Sequence, residues 1–214
     1  MKLTIITYIL LLLNQINGQD NYLDYHQDVR GENIFYFSVN HRLPAFKFIL
    51  IGDSSYNNII EIIIYKNSDS KPLQNISIEE FIEPPIKGTE YFTTCDFNFD
   101  GYKDIMLLKF CGATGNRIYQ AWLFNPSKMQ FEFNKFLETI YSPEFDYDKK
   151  IFTTIGKSGY GEYSYSTYKY VKEEFIIINE KNRYWDEKKR CFIEEIYKRK
   201  NGEMKIESHR EIKE

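Results

Sequence analysis

The run Asp96-Phe97-Asn98-Phe99-Asp100-Gly101-Tyr102-Lys103-Asp104-Ile105 restricts the fold of this chain more than any other stretch. It is flanked by Tyr91-Phe92-Thr93-Thr94-Cys95 and Ile105-Met106-Leu107-Leu108-Lys109-Phe110, aromatic, β-branched and apolar residues that suit a pleated, half-buried surface. Two antiparallel strands joined by a tight polar turn are therefore expected. Within the turn, oxygen-bearing side chains recur at every second position, Asp96, Asn98 and Asp100, followed by Gly101 and, at the ninth place, Asp104. That spacing lets a calcium loop aim alternate oxygens at a hard cation, with glycine permitting the turn and the next residue, Tyr102, offering its main-chain carbonyl. The twelfth place is Leu107, where a helix-loop-helix calcium site has a bidentate Glu. The expected site is thus a calcium-type turn inside a β-hairpin, of modest affinity and suited to a calcium-rich compartment. The plainer alternative is a turn made by Asp, Asn and Gly without any metal.

Other strands are expected at short intervals: 34–39, 46–51, 59–65 and 73–76 before the hairpin, then 119–124, 129–133 and 150–155 after it. Residues 162–171 pair with 175–180, and 191–198 pair with 204–209 through Asn201-Gly202, the clearest hairpin signal in the chain. A short helical or irregular piece is expected at 136–141. The fold class is all-β, an antiparallel meander built as a sandwich, barrel or partial propeller.

Met1-Lys2 and the apolar run Leu3 to Leu13, closed by Gly18, match a secretory leader over residues 1–18, too short to span a bilayer. Residues 19–31 are polar and mixed and are expected to be a loosely ordered lead-in; residues 32–214 form a single domain. The expected location is exported, periplasmic or secreted. The formal net charge of −3 gives no footprint for nucleic acid. Cys95 and Cys111 would fall at opposite ends of the hairpin, beyond disulfide reach. Either Cys191 partners one of them or all three are buried small hydrophobes, and burial is favoured. His26, His41 and His209 stand in polar segments and no Ser or Cys has a base at motif spacing, so no enzyme is expected. Trp122 and Trp185 are assigned to the core.

A second stretch, Lys157-Ser158-Gly159-Tyr160-Gly161-Glu162-Tyr163-Ser164-Tyr165, joins two strands with glycines, hydroxyls and tyrosines. Tyrosine brings large contact area at low entropic cost and serine brings hydrogen bonds, which suits a recognition loop. Ser158, Gly159, Tyr160 and Tyr163 are the candidate partner-binding residues. Tyr163, Tyr165, Tyr168 and Tyr170 also fit ordinary sheet positions, with a shift in alternation at Ser166-Thr167.

Over about residues 74–180, the calcium-type run, Trp122-Leu123-Phe124-Asn125-Pro126, Phe131, Leu137 and the Ser158-Gly159 loop before Tyr168-Lys169-Tyr170 resemble an exported bacterial calcium-binding family. That family is related to periplasmic lysozyme inhibitors and includes immunity proteins against peptidoglycan-hydrolase effectors of type IV secretion. The resemblance implies an all-β fold that inserts a loop into the cleft of a lysozyme or other peptidoglycan hydrolase, with calcium as cofactor. Inhibitors of invertebrate-type lysozyme carry Ser-Gly-x-Tyr; here Tyr160 falls one place early. The competing expectation is a calcium-stabilised structural or adhesive β-module with no hydrolase partner.

Overall fold

The computed structural model describes residues 24–27 (backbone only), 33–53, 58–66, 69–79 and 91–213; the expected leader lies outside them. The strands are β1 (Asp24–Gln27), β2 (Asn33–Phe37), β3 (Phe46–Gly52), β4 (Ile59–Lys66), β5 (Gln74–Ser77), β6 (Phe92–Cys95), β7 (Asp104–Cys111) and β8 (Arg117–Asn125). They continue as β9 (Gln130–Phe133), β10 (Glu144–Asp146), β11 (Ile151–Gly159), β12 (Glu162–Val171), β13 (Glu174–Asp186), β14 (Cys191–Lys200) and β15 (Glu203–Ile212). A 3-10 turn, Lys135–Thr139, follows β9 and is capped by the Asn134 side chain. The strands form three open antiparallel meanders, β1 to β5, β6 to β9 and β10 to β15. The all-β expectation holds, and none of the sheets closes into a barrel.

Alternation sets the faces. In β3, Phe46, Phe48 and Leu50 point inward, and in β4 Ile62 and Ile64 do the same. Phe48 meets Phe92 and Phe131 of the second sheet at 5.6 Å each, and Phe46 meets Phe124 edge-on at 5.9 Å. The first two sheets therefore face each other across an aromatic core. The third sheet joins through Phe97, which is 0% exposed and contacts Phe145, Phe152 and Phe175 with ring centroids 5.0, 5.7 and 6.5 Å away.

β13 runs past this core. Around its far end Cys191, Phe192 and Ile193 are buried, and the ring of half-buried Trp185 lies 5.1 Å from Phe192. Along the same ribbon Glu194, 6% exposed, accepts hydrogen bonds from Lys181 at 2.8 Å, Arg210 at 2.6 Å and the Tyr163 hydroxyl at 3.1 Å. The Lys181 ammonium holds the Glu194 carboxyl below its usual range. The unfolded chain then binds that proton more tightly than the folded one, so the pair stabilises above about pH 4.3 and its contribution is lost as pH falls through the depressed folded value. Glu194→Gln is expected to lower stability at neutral pH by about 1–2 kcal/mol, with wild type and variant converging in urea titrations as pH falls through the depressed folded value.

Several expectations are corrected. The lead-in contains β1, paired with β2 over Asp24↔Tyr36 to Gln27↔Asn33, because backbone pairing onto an open edge needs no apolar pattern. β13 does not stop at Glu180: Lys181, Asn182 and Arg183 are paired on both sides, by β12 and β14. All three cysteines are free, and Cys111, at the end of β7, is exposed rather than buried. The expected break in alternation near Ser166-Thr167 appears as a register shift between Thr167 and Tyr168. Asn201 and Gly202 both have positive φ, 54° and 87°, as a two-residue hairpin turn requires.

Candidate functional site

The acidic turn lies between β6 and β7, as its flanks dictate. Its period-two alternation sends Phe97 towards the third sheet, with Phe99 packing on Tyr147 at 5.9 Å, while Asn98 and Asp100 face outward. The Asp96 carboxylate accepts the N–H of Asp100 at 3.1 Å and of Gly101 at 2.9 Å. The Asn98 carboxamide donates to Asp100 at 2.9 Å, and Asp100 accepts the Tyr102 N–H at 2.8 Å. Gly101, at φ 88°, occupies a conformation that other residues resist. From the β2–β3 connection Asn40 donates to the Gly101 carbonyl at 2.6 Å, and Val39 accepts the Lys103 N–H at 2.7 Å.

Asp104 stands apart from its turn neighbours. It is 0% exposed, and its two oxygens accept the N–H groups of Phe97 at 2.7 Å and Phe124 at 2.8 Å. Burial pushes its carboxyl well up, against the pull of those two N–H groups and with a further push from Asp96 and Asp100. Burial also raises Asp96, and the nearby Asp100 adds to it.

The donor types suit a hard cation: Asn98 and Asp100 line a hollow of about 420 Å³ together with Asn125, Glu132 and Glu173. Among the described residues, however, no three His, Cys, Asp or Glu side chains already converge as a metal cage. Asp96, Asn98 and Asp100 are brought together, Tyr102 packs its ring 5.6 Å from Phe124, and Asp104 is engaged by main-chain N–H groups.

The second site is the β11–β12 hairpin. Gly159 pairs with Glu162, leaving Tyr160 and Gly161 at the tip. Tyr160 is 91% exposed. Beneath it the backbone is fixed. Gly161 has φ 72°, and a Cβ there would sit 3.0 Å from the Phe192 ring. Ser158 donates to Glu162 at 3.3 Å, and Glu162 accepts the Trp185 N–H at 3.0 Å. Asn116 brackets Lys157, accepting its N–H at 2.9 Å and donating to its carbonyl at 2.8 Å. Ser158, Gly159 and Tyr160 therefore share the tip. Tyr163 is a half-buried sheet residue whose hydroxyl is held by Glu194. Sequence reasoning missed Tyr141 and Tyr184, which flank a cleft of about 380 Å³ beside Ser158 over a floor of Gly156, Ser164 and Asn182. Neither carries a motif, and only sheet register brings them together.

Fold and sites together define a three-sheet all-β protein with an acidic hairpin turn and a projecting, rigidly based tyrosine tip. The same fold occurs in a Xanthomonas type IV secretion system related protein, with a TM-score of 0.57 and 17% identity over 88% of this chain and 98% of that chain. At that identity the likeness is one of fold. No protein-family model matches the chain, and no curated protein matches it. No helix among the described residues is long and apolar enough to cross a membrane.

Proposed function

We propose that this chain is an exported calcium-binding protein that blocks a lysozyme or other peptidoglycan hydrolase stoichiometrically, by seating the tip of Ser158, Gly159 and Tyr160 in the enzyme's cleft. The observation that carries this reading is the 91% exposure of Tyr160 on a hairpin whose base is fixed by Glu162, Asn116 and the Phe192 ring. A large side chain already held in place loses little freedom on binding. The fold shared with a secretion system related protein supports the same reading.

A muramidase cleft contains two carboxyl groups, one of them protonated. The Ser158 and Tyr160 hydroxyls reach such groups by hydrogen bonds while the Tyr160 ring fills a sugar subsite. Blocking needs no chemistry from this chain. Calcium, held by Asp96, Asn98, Asp100 and the Tyr102 carbonyl with Asp104 behind them, would rigidify the turn.

The test mixes the purified protein with a panel of lysozymes and peptidoglycan hydrolases, in calcium and in chelator. Inhibition near one-to-one is expected, and Tyr160→Ala should weaken it by about 2 kcal/mol or more, roughly 30-fold, with unchanged stability. Undiminished inhibition by a Ser158→Ala, Tyr160→Ala double variant would remove the tip from the mechanism.

One observation favours the structural alternative: Phe97, inside the acidic turn, ties the second sheet to the third, so calcium there would serve the fold alone. On either reading, saturating calcium at about 100 times its Kd raises stability by about 2.7 kcal/mol. That gain should vanish in Asp96→Ala with Asp100→Ala. An unchanged melting temperature in calcium would rule the metal out.

A further inference from the structure

Register aligns one row of residues across the ribbon beneath the tip. Lys157 lies opposite Tyr163, Tyr163 opposite Arg183, Arg183 opposite Glu194 and Glu194 opposite Arg210, so β11 to β15 each place one residue of the row on the same face. Lys181, two residues before Arg183 on that face, adds a further cation. Glu194 does not balance them all. One of its oxygens accepts from Arg210, and the other from Lys181 and the Tyr163 hydroxyl. Glu162, the other carboxylate beneath the tip, is also fully engaged, one oxygen by the Ser158 hydroxyl and the other by the Trp185 N–H.

Arg183 is the cation left over. It is half-buried, its guanidinium lies 4.4 Å from the centroid of the Phe192 ring, and its buried Nε–H has no hydrogen-bond partner among the described residues. It forms no ion pair among them either. Withdrawing an arginine from water without giving it an anion is unfavourable, so a guanidinium fixed in this way points to an anion supplied from outside. Its place relates it to the tip. The Phe192 ring beneath Arg183 is the same ring that stands 3.0 Å from a Cβ built on Gly161, and exposed Lys157 leads directly into Ser158.

We infer that Arg183, assisted by Lys157, receives a carboxylate on the wall of the partner's cleft and so selects among hydrolases, an inference that rests on the seating of the Tyr160 tip in such a cleft. The planar guanidinium suits a carboxylate. Two cations without an anion are fewer than the about four to eight by which a basic face holds an anionic membrane. A protein carboxylate is therefore the favoured occupant.

The test uses the full-length protein and the enzyme of the panel that it inhibits most tightly. Arg183→Met keeps an unbranched stem over Phe192 and removes the charge. Its urea midpoint is expected to equal or exceed that of wild type, because no anion loses a partner, while inhibition weakens about tenfold or more. When each Asp and Glu of the enzyme's cleft is changed in turn to Asn or Gln, one of these changes should abolish the difference between wild type and Arg183→Met. Equal inhibition by the two proteins, with Tyr160→Ala still weakening it, would overturn the role of Arg183 and leave the tip in place. A lower urea midpoint for Arg183→Met would make the residue a structural one. A difference that no cleft substitution removes, or binding of wild type but not the variant to phosphatidylglycerol vesicles, would also overturn the assignment. If no enzyme of the panel is inhibited, the tip reading falls and this one falls with it.

Discussion

Phe97→Ala is expected to be the most damaging single substitution among the described residues, lowering stability by about 3–5 kcal/mol. Phe97 is 0% exposed and its ring meets Phe145, Phe152 and Phe175. Those three residues belong to three strands of the third sheet, whereas Phe97 sits in the turn between β6 and β7 of the second. Truncation would leave a cavity between sheets, and the two layers cannot close on it without moving the hydrogen-bonded turn. Urea denaturation should show the loss as a lower midpoint. A cost below about 1 kcal/mol would mean that the third sheet is held by other contacts.

Asp104→Ala is the second, with an expected loss of about 2–5 kcal/mol. Two buried N–H groups, on Phe97 and Phe124, lose their acceptor together, and each unpaired donor is unfavourable by about 1–3 kcal/mol. Asp104→Asn keeps one acceptor oxygen but turns an NH₂ group towards the second donor, so it should fall between wild type and Ala. Calcium separates the two possible roles. If the carboxylate acts through the N–H groups, the loss is the same in calcium and in chelator; if it ligates the metal, the loss is larger in calcium.

The contrast between Asp96 and Asp104 marks how far the sequence could be read. Alternating oxygens and a glycine identified the turn, and apolar flanks identified its strands. The same spacing made Asp104 a fifth ligand, yet the fold engages both its oxygens with main-chain N–H groups, one of them on β8. That use depends on a residue twenty positions away and has no local signature. Tyr163 shows the same limit: a tyrosine-rich loop was legible, but only the register of β12 to β14 brings its hydroxyl to Glu194.

By itself, the sequence determined the all-β class, most strand positions, the Asn201-Gly202 hairpin, the break in alternation near Thr167 and the exposed character of the tip at Tyr160. These depend on neighbours a few residues apart, where side-chain period, β-propensity and turn chemistry act directly. Tertiary structure alone decided the division into three sheets, the pinning of the third by Phe97, the pairing of β1, the extension of β13 through polar residues, the exposure of Cys111 and the engagement of Asp104. Each of these is a contact between distant segments. Hydrogen-bonded edges and close packing, rather than the local pattern, choose which groups meet there.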